Sequence, residues 1–306
     1  MRSQLSGVLV LDKPAGMSSA QVVAKVKKLL GADKAGHAGT LDPFATGVLV
    51  CCINQATRLA RFFLHGEKRY QAVLRLGVET ETQDATGSVI GRNAVPELDE
   101  ARLQRIFKQF EGPQMQQPPV YAALKHEGMP LYRLARQGRP VQKPARPVTI
   151  KTLRILEIRL PEVRFEASCS AGTYIRTLCA DLGKAAGCGG HLASLRRTAT
   201  CKFRLEQAVS LEALQARPAD LRWEMLISMS AAVEDMATIR ADEALLQRVA
   251  HGQRLTTAEV PAANIENSDA GHLKGYLKVL DAQDHLRAVL EMTPDGGGYN
   301  YCCVFH

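Results

Sequence analysis

The stretch Lys34-Ala-Gly-His-Ala-Gly-Thr-Leu-Asp-Pro-Phe-Ala-Thr-Gly-Val-Leu49 constrains this chain more than any other. It carries Gly36, Gly39 and Gly47, with Gly31 just upstream. Neither a helix nor a strand gains stability from that composition. Glycine costs backbone entropy and is useful where the chain bends sharply or lets another molecule approach closely. Pro43 pushes Asp42 toward extended backbone and away from helix. Asp42 is therefore the sole carboxylate in a stretch suited to close approach. Two roles fit it: a turn Asp that hydrogen-bonds its own backbone, or a carboxylate presented to a bound molecule.

The flanking segments read as a mixed α+β chain. Residues 7 to 11 form a buried strand pattern. Ser18 or Ser19 can cap a helix in which Val22, Val23, Val26, Leu29 and Leu30 share a face, with Gly31 as its stop. Gly47 to Ile53 reads as strand and Ala56 to Phe63 as helix. From Tyr70, apolar and polar residues alternate as in a half-buried strand. Asp99 to Phe110 is amphipathic, 149–160 and 163–169 read as strands, and Tyr174 to Ala186 as a helix ended by Gly187. After about residue 230 three short strand patterns follow, Gly275 to Leu280, Leu286 to Met292 and Tyr299 to Phe305, separated by turns at 281–284 and 295–298.

A chain of 306 residues accommodates one large domain and one small one. Lys plus Arg exceed Asp plus Glu by 39 − 31 = 8, a balance that favours a polyanionic partner. Residues 117–146 concentrate this charge: Lys125, Arg133, Arg136, Arg139, Lys143 and Arg146 against Glu127, with several prolines and with Tyr121 and Tyr132. Basic charge beside aromatics on a restrained backbone suits phosphate contact and base stacking; a solvated basic loop is the alternative. The cysteines form no CxxC pair, which points to reduced buried thiols rather than disulfides or zinc. The start carries Arg2 but no apolar h-region, and the apolar runs are too short to span a bilayer. No membrane partner is expected, and a cytoplasmic location is.

Six segments, in order, resemble the TruB family of bacterial tRNA pseudouridine-55 synthases. His37-Ala-Gly-Thr-Leu-Asp-Pro-Phe-Ala-Thr-Gly-Val-Leu49 is similar to its catalytic motif, and Gly7-Val-Leu-Val-Leu-Asp-Lys-Pro-Ala-Gly-Met-Ser-Ser19 to its N-terminal signature. Lys68-Arg-Tyr70, Gln117-Pro-Pro-Val-Tyr-Ala-Ala-Leu-Lys125, Gly172-Thr-Tyr-Ile-Arg-Thr-Leu178 and Leu195-Arg-Arg197 resemble the remaining blocks. The chain departs from the family at Ala122, where Ser is usual, and at Ala171, where Lys is common.

The resemblance implies a catalytic domain over 1–230 that contains an RNA-binding insertion at 113–146, and a small PUA-like β-barrel over 231–306. It implies isomerisation of uridine 55 in the tRNA T loop, without metal or other cofactor: the N1–C1′ bond breaks, the base turns, and C5 joins C1′. Asp42 is the implied catalytic carboxylate. It would act as nucleophile on the base or on the anomeric carbon, or as base at C2′; the sequence leaves these routes open. Arg176 would pair with Asp42, although a lone helical Arg is ordinarily solvent-facing. Tyr70 would stack on the target base, although a half-buried strand tyrosine fits the same alternation. Because the target uridine lies inside a folded loop, it must be extruded before chemistry, and His37 would fill the vacated space. Lys13, Lys68, Leu195, Tyr121, Lys125, Arg133, Arg136 and Arg139 complete the expected substrate and RNA contacts. The T arm of tRNA is the expected partner, with no guide RNA, and a monomer is expected. A guide-RNA-dependent synthase and a tRNA-folding factor with vestigial chemistry are the rival readings.

Overall fold

The structure is a computed structural model that describes residues 5–260, 265–266, 273 and 275–305; Arg2 lies outside them. Its larger sheet runs in the order Val209–Ser210, Gly7–Lys13, Thr46–Ile53, Gly190–Thr200, Lys68–Leu76, Glu162–Cys169, Arg146–Arg159, Gly112–Gln116. The Gly7–Lys13 and Thr46–Ile53 strands pair antiparallel. Thr46–Ile53 meets Gly190–Thr200 in parallel, and antiparallel pairing continues from there to the Gly112–Gln116 edge. The mixed α+β class read from the sequence is what forms.

The uninterrupted apolar runs in the first two strands follow from burial on both faces. Leu9, Leu11, Leu49, Cys51 and Ile53 face the Ser19–Leu30 helix through Val22, Val23, Val26 and Leu30. Val8, Val10, Val48, Val50 and Cys52 face the opposite way, toward Phe62, Phe63 and Phe203. Ser18 starts that helix with a reciprocal capping box to Gln21. Alternation returns in Lys68–Leu76, where Tyr70, Ala72, Leu74 and Leu76 pack with Phe165 and the Ile175–Ala185 and Glu100–Lys108 helices.

The three strand patterns near the C-terminus appear as Tyr276–Leu280, Leu286–Met292 and Gly298–Val304, an antiparallel meander within a six-stranded sheet. That sheet is the half-barrel expected of a PUA-like domain. Its apolar face joins the cluster containing Val8 and Val50 through Leu280, Leu286, Val289 and Phe305. Phe62 and Tyr276 meet edge-on at 5.1 Å between ring centroids. Arg58 donates to the Val304 carbonyl and lies over the Phe305 ring.

Three local expectations need correction. Ala56 to Phe63 is not one helix: a 3-10 segment, Asn54–Leu59, precedes a short α-helix, Ala60–Leu64. The glycine-rich stretch is not all loop, because Ala35–His37 pairs antiparallel with the end of Thr46–Ile53. The basic segment is not the plain solvated loop offered as the alternative reading. After the edge strand Gly112–Gln116 it holds a hairpin at 125–130 and a short helix, Leu131–Arg136. Ala122 is buried there beside Leu131 and Leu134.

Gly47 sits at φ +100°, and a Cβ built on it would fall 2.2 Å from the Arg197 carbonyl oxygen. Glycine is required there by both conformation and space. Gly47→Ala is expected to cost about 2–5 kcal/mol through strain and forced strand separation. Chemical denaturation measures this, and an unchanged midpoint would show that the close strand approach at Gly47 is not needed.

Candidate active site

The backbone around Asp42 is tied down nearly residue by residue. Lys13 Nζ donates to the carbonyls of Pro14 at 2.8 Å, Met17 at 2.6 Å and Pro43 at 3.1 Å. Gly16 N–H donates to the same Pro43 carbonyl at 2.8 Å. The Ser19 hydroxyl both donates to the Leu41 carbonyl and accepts from the Leu41 amide. From the other side Arg197 donates through Nε to Val48 O at 2.7 Å, through Nη2 to Gly39 O at 3.0 Å and through Nη1 to Thr40 O at 3.4 Å. Ala45 N–H closes a turn onto the Asp42 carbonyl at 3.1 Å. Turn formation and presentation of the carboxylate therefore coexist at Asp42.

The Asp42 carboxylate meets Arg176, whose Nε lies 3.0 Å from Oδ2. Arg176 is 4% exposed, so the solvent-facing alternative is excluded. Its Nη1 lies 3.6 Å from Asp84 Oδ2 and donates to Thr82 O, and its Nη2 donates to Tyr121 O at 2.9 Å. Asp84 in turn accepts at Oδ1 from the Thr82 and Thr86 hydroxyls and the Thr86 amide. One guanidinium thus bridges two carboxylates and two carbonyls in a geometry an ammonium cannot copy. Desolvation nevertheless dominates at Asp42 and raises its pKa above the ordinary carboxylate value. Arg176 opposes that shift, Asp84 reinforces it, and Lys13 opposes it more weakly.

Asp42, Arg176 and Tyr70 line one cleft of about 380 Å³, with Lys68, Leu195, Arg197, Leu124 and Arg146. That is room for a nucleoside-sized group. Burial pushes the Tyr70 phenol up to about 12, against the pull of Arg197. At neutral pH it is a proton donor and a flat stacking face, not a base. Leu195 and Leu124 supply apolar wall.

Lys13 was expected among the substrate and RNA contacts and is not available for one: it is 0% exposed and its donors go to main-chain carbonyls. Lys68 lines the cleft, but its ammonium is taken up by the Leu64 and Gly66 carbonyls. His37 does not line the cleft; it sits on the Ala35–His37 strand with Nδ1 buried and unpartnered. Tyr121 meets Glu81 through its hydroxyl and Arg176 through its carbonyl. Lys125, Arg133, Arg136 and Arg139 are exposed on the insertion or at its surface.

Sequence reasoning did not single out Asp84, Arg197 or Arg146 as site residues. Asp84 carried a signal: Thr82-Gln-Asp-Ala-Thr-Gly87 has the hydroxyl and glycine spacing of an Asp-centred turn. Arg197 carried none of its own, since nothing local distinguishes a buried strand arginine from a solvated one.

Residues 27–175 match the family model described as TruB family pseudouridylate synthase, N-terminal domain, and residues 176–239 match the tRNA pseudouridylate synthase B C-terminal domain. A tRNA pseudouridine synthase B of Burkholderia mallei (strain NCTC 10247) is 43% identical over 94% of this chain and 93% of its own length. A namesake from Francisella philomiragia is 45% identical over 77% of each chain. Among solved structures, a Cbf5-Nop10-Gar1 complex aligns with TM-score 0.74 and 29% identity, covering 99% of this chain and 85% of the other. An H/ACA RNP bound to a substrate RNA containing 2′-deoxyuridine aligns with TM-score 0.72 and 28% identity, covering 99% and 86%.

The raised Asp42 pKa has a consequence with a defined sign. The carboxylate ionises only above a pH higher than the 3.8 of an ordinary Asp. Any step that needs it ionised slows as pH falls through that raised value. Single-turnover rates against pH should show an acid limb lying above the ordinary Asp value of 3.8, at a pH where the protein is still folded. A rate that stays flat as pH falls through the ordinary Asp value, in an enzyme still folded, would exclude an ionised Asp42 from the slow step.

Proposed function

The chain belongs to the TruB family of pseudouridylate synthases, and we propose that it isomerises uridine 55 in the T loop of tRNA to pseudouridine. The observation that carries the reading is the Asp42–Arg176 pair in a cleft walled by Tyr70. Pseudouridine formation exchanges one glycosidic bond for another and needs no redox partner. It needs a carboxylate at the sugar and base, and a site that holds a base outside its stack. Asp42 is the catalytic carboxylate. Arg176 fixes its orientation and favours its charged form, and Tyr70 offers a flat ring to the base. Leu195 packs against the base. His37 acts outside the cleft, on the loop that the uridine leaves.

The protein acts on tRNA alone, without guide RNA, as a monomer in the cytoplasm; among the described residues no helix is long and apolar enough to cross a membrane. The exposed basic insertion supports the stand-alone reading, because it supplies RNA contacts from the same chain. Residues 1–230 are read as the catalytic domain and 231–306 as an appended RNA-binding module. The deciding experiment incubates the purified protein with an unmodified tRNA transcript and maps pseudouridine by mass. Product at position 55 supports the reading, and no product without an added RNA favours the guided alternative.

Asp42→Asn is expected to abolish turnover while tRNA affinity stays within about tenfold, because the amide keeps the shape and lacks the anionic oxygen. Substantial turnover by that variant would remove Asp42 from the chemistry. Neutralising Arg133, Arg136 and Arg139 together is expected to weaken binding. It should also flatten the log–log salt dependence by about 0.7–0.9 for each phosphate that is no longer neutralised. An unchanged slope would show that the Leu131–Arg136 helix and the residues after it do not hold the RNA.

A further inference from the structure

Four cationic side chains line the cleft: Lys68, Arg146, Arg176 and Arg197. Three have their donors committed. Lys68 holds two carbonyls, Arg197 holds three, and Arg176 holds two carboxylates and two carbonyls. Arg146 differs. Its Nη2 donates to the Gly172 carbonyl and its guanidinium lies 4.9 Å from the Tyr174 ring centroid. Its Nε is buried and has no hydrogen-bond partner. Among the described residues, no carboxylate forms an ion pair with it.

The position is built rather than incidental. Gly172 has φ +85°, and a Cβ there would fall 3.2 Å from Arg146 Nη2, so the turn leaves room for the guanidinium. The Tyr174 ring supports one face. The uncapped start of the Ile175–Ala185 helix lines the same wall. A fixed, half-buried guanidinium with an orphaned donor is suited to an anion with oxygens in one plane of approach.

We propose that Arg146 binds the backbone phosphate adjacent to the extruded uridine, fixing the depth at which the nucleotide enters the cleft. This rests on the RNA-isomerising reading above. An extruded nucleotide carries its flanking phosphodiesters to the mouth of whatever cleft accepts its base. Arg146 begins the Arg146–Arg159 strand, where the basic insertion rejoins the sheet. The pairing is non-covalent, and its role is positioning.

The test is a double-mutant cycle between protein and RNA. T-arm hairpins carry a methylphosphonate, which is neutral, in place of the phosphate either 5′ or 3′ of the target uridine. A 2′-fluoro group on the ribose before each neutral linkage prevents strand cleavage, and matched hairpins with ordinary phosphates carry the same 2′-fluoro groups. Affinities are measured for the wild type, Arg146→Ala and Arg146→Lys, with thermal unfolding as the folding control. Arg146→Ala is expected to lose about tenfold in affinity for the ordinary hairpin, the scale of one charged hydrogen bond. One of the two neutral linkages should weaken the wild type comparably and the Ala variant less than about twofold. Should the Ala variant melt early, Arg146→Lys carries the same test, with a smaller loss and the same non-additivity. Equal weakening of wild type and variant by both neutral linkages overturns the proposal, as does wild-type affinity in Arg146→Ala. Wild-type conversion of a natural-backbone hairpin is scored separately, so absence of product there counts against the isomerase reading and not against Arg146.

Discussion

Lys13 and Arg197 each carry a full positive charge out of water and direct their donors to carbonyls around the same loop. Lys13 takes Pro14, Met17 and Pro43; Arg197 takes Gly39, Thr40 and Val48. Asp42 lies between these two sets of anchors. A glycine-rich loop ordinarily samples many conformations. Here, removing either cation would take a hydrogen-bond donor from several main-chain carbonyls at once, and those left unpaired and buried would cost about 1–3 kcal/mol each. The loop is therefore rigid because its main chain, rather than its side chains, is the acceptor. The burial that creates this grip also depresses Lys13 to about 8, an effect that the nearby Asp42 carboxylate partly reverses.

The same design recurs one layer outward. Arg176 is bound to Thr82 and Tyr121 through their carbonyls, which ties the Asp42–Arg176 pair to two separate connections of the sheet. Asp84 is itself held by Thr82 and Thr86. A carboxylate bridged in this way is costly to misplace, since a shift of about 1 Å in a reacting group can reduce the rate on the order of a hundredfold. Beneath it, the strand pair Gly7–Lys13 and Thr46–Ile53 is buried on both faces, by the Ser19–Leu30 helix and by a cluster that includes Phe62, Phe63 and Phe203. The loop thus springs from the least yielding part of the molecule.

Much of this was legible in the sequence, for identifiable reasons. Strands and helices with one buried face announce themselves by period, as Lys68–Leu76 and Glu100–Lys108 do. The C-terminal meander followed from turn residues between short β-rich runs. The segment at Ala56 to Phe63 failed because a helical pattern that short does not distinguish a 3-10 turn from an α-helix. Asp42, Tyr70 and Arg176 were found through motif resemblance, and their convergence on one cleft is a tertiary fact. Lys13 shows the limit most clearly. A lysine in Asp12-Lys-Pro reads as a surface cation, and only the folded chain supplies the three carbonyls that make its burial tolerable. Arg197 and Asp84 owe their roles to distant partners in the same way: Arg197 reaches back to the Asp42 loop, and Asp84 to Arg176.

RNA binding sets an electrostatic problem that the protein alone does not have. Asp42 already ionises reluctantly because desolvation outweighs Arg176. A phosphodiester brought to within roughly 8 Å would add repulsion of about 2 kcal/mol at an effective dielectric constant near about 20, more than about one further pKa unit. Lys68, Arg176 and Arg197 cannot turn to meet that charge without releasing carbonyls that hold the site. Arg146 is less committed: one nitrogen holds the Gly172 carbonyl, and its Nε has no partner to release. A cation that pairs with the phosphate cancels its field at Asp42, so positioning the nucleotide and keeping the carboxylate charged become one interaction. The cations that hold the loop and the cation left to meet RNA then have separate duties. In the proposed isomerase, that separation would let a polyanion dock against a site whose chemistry uses a buried anion.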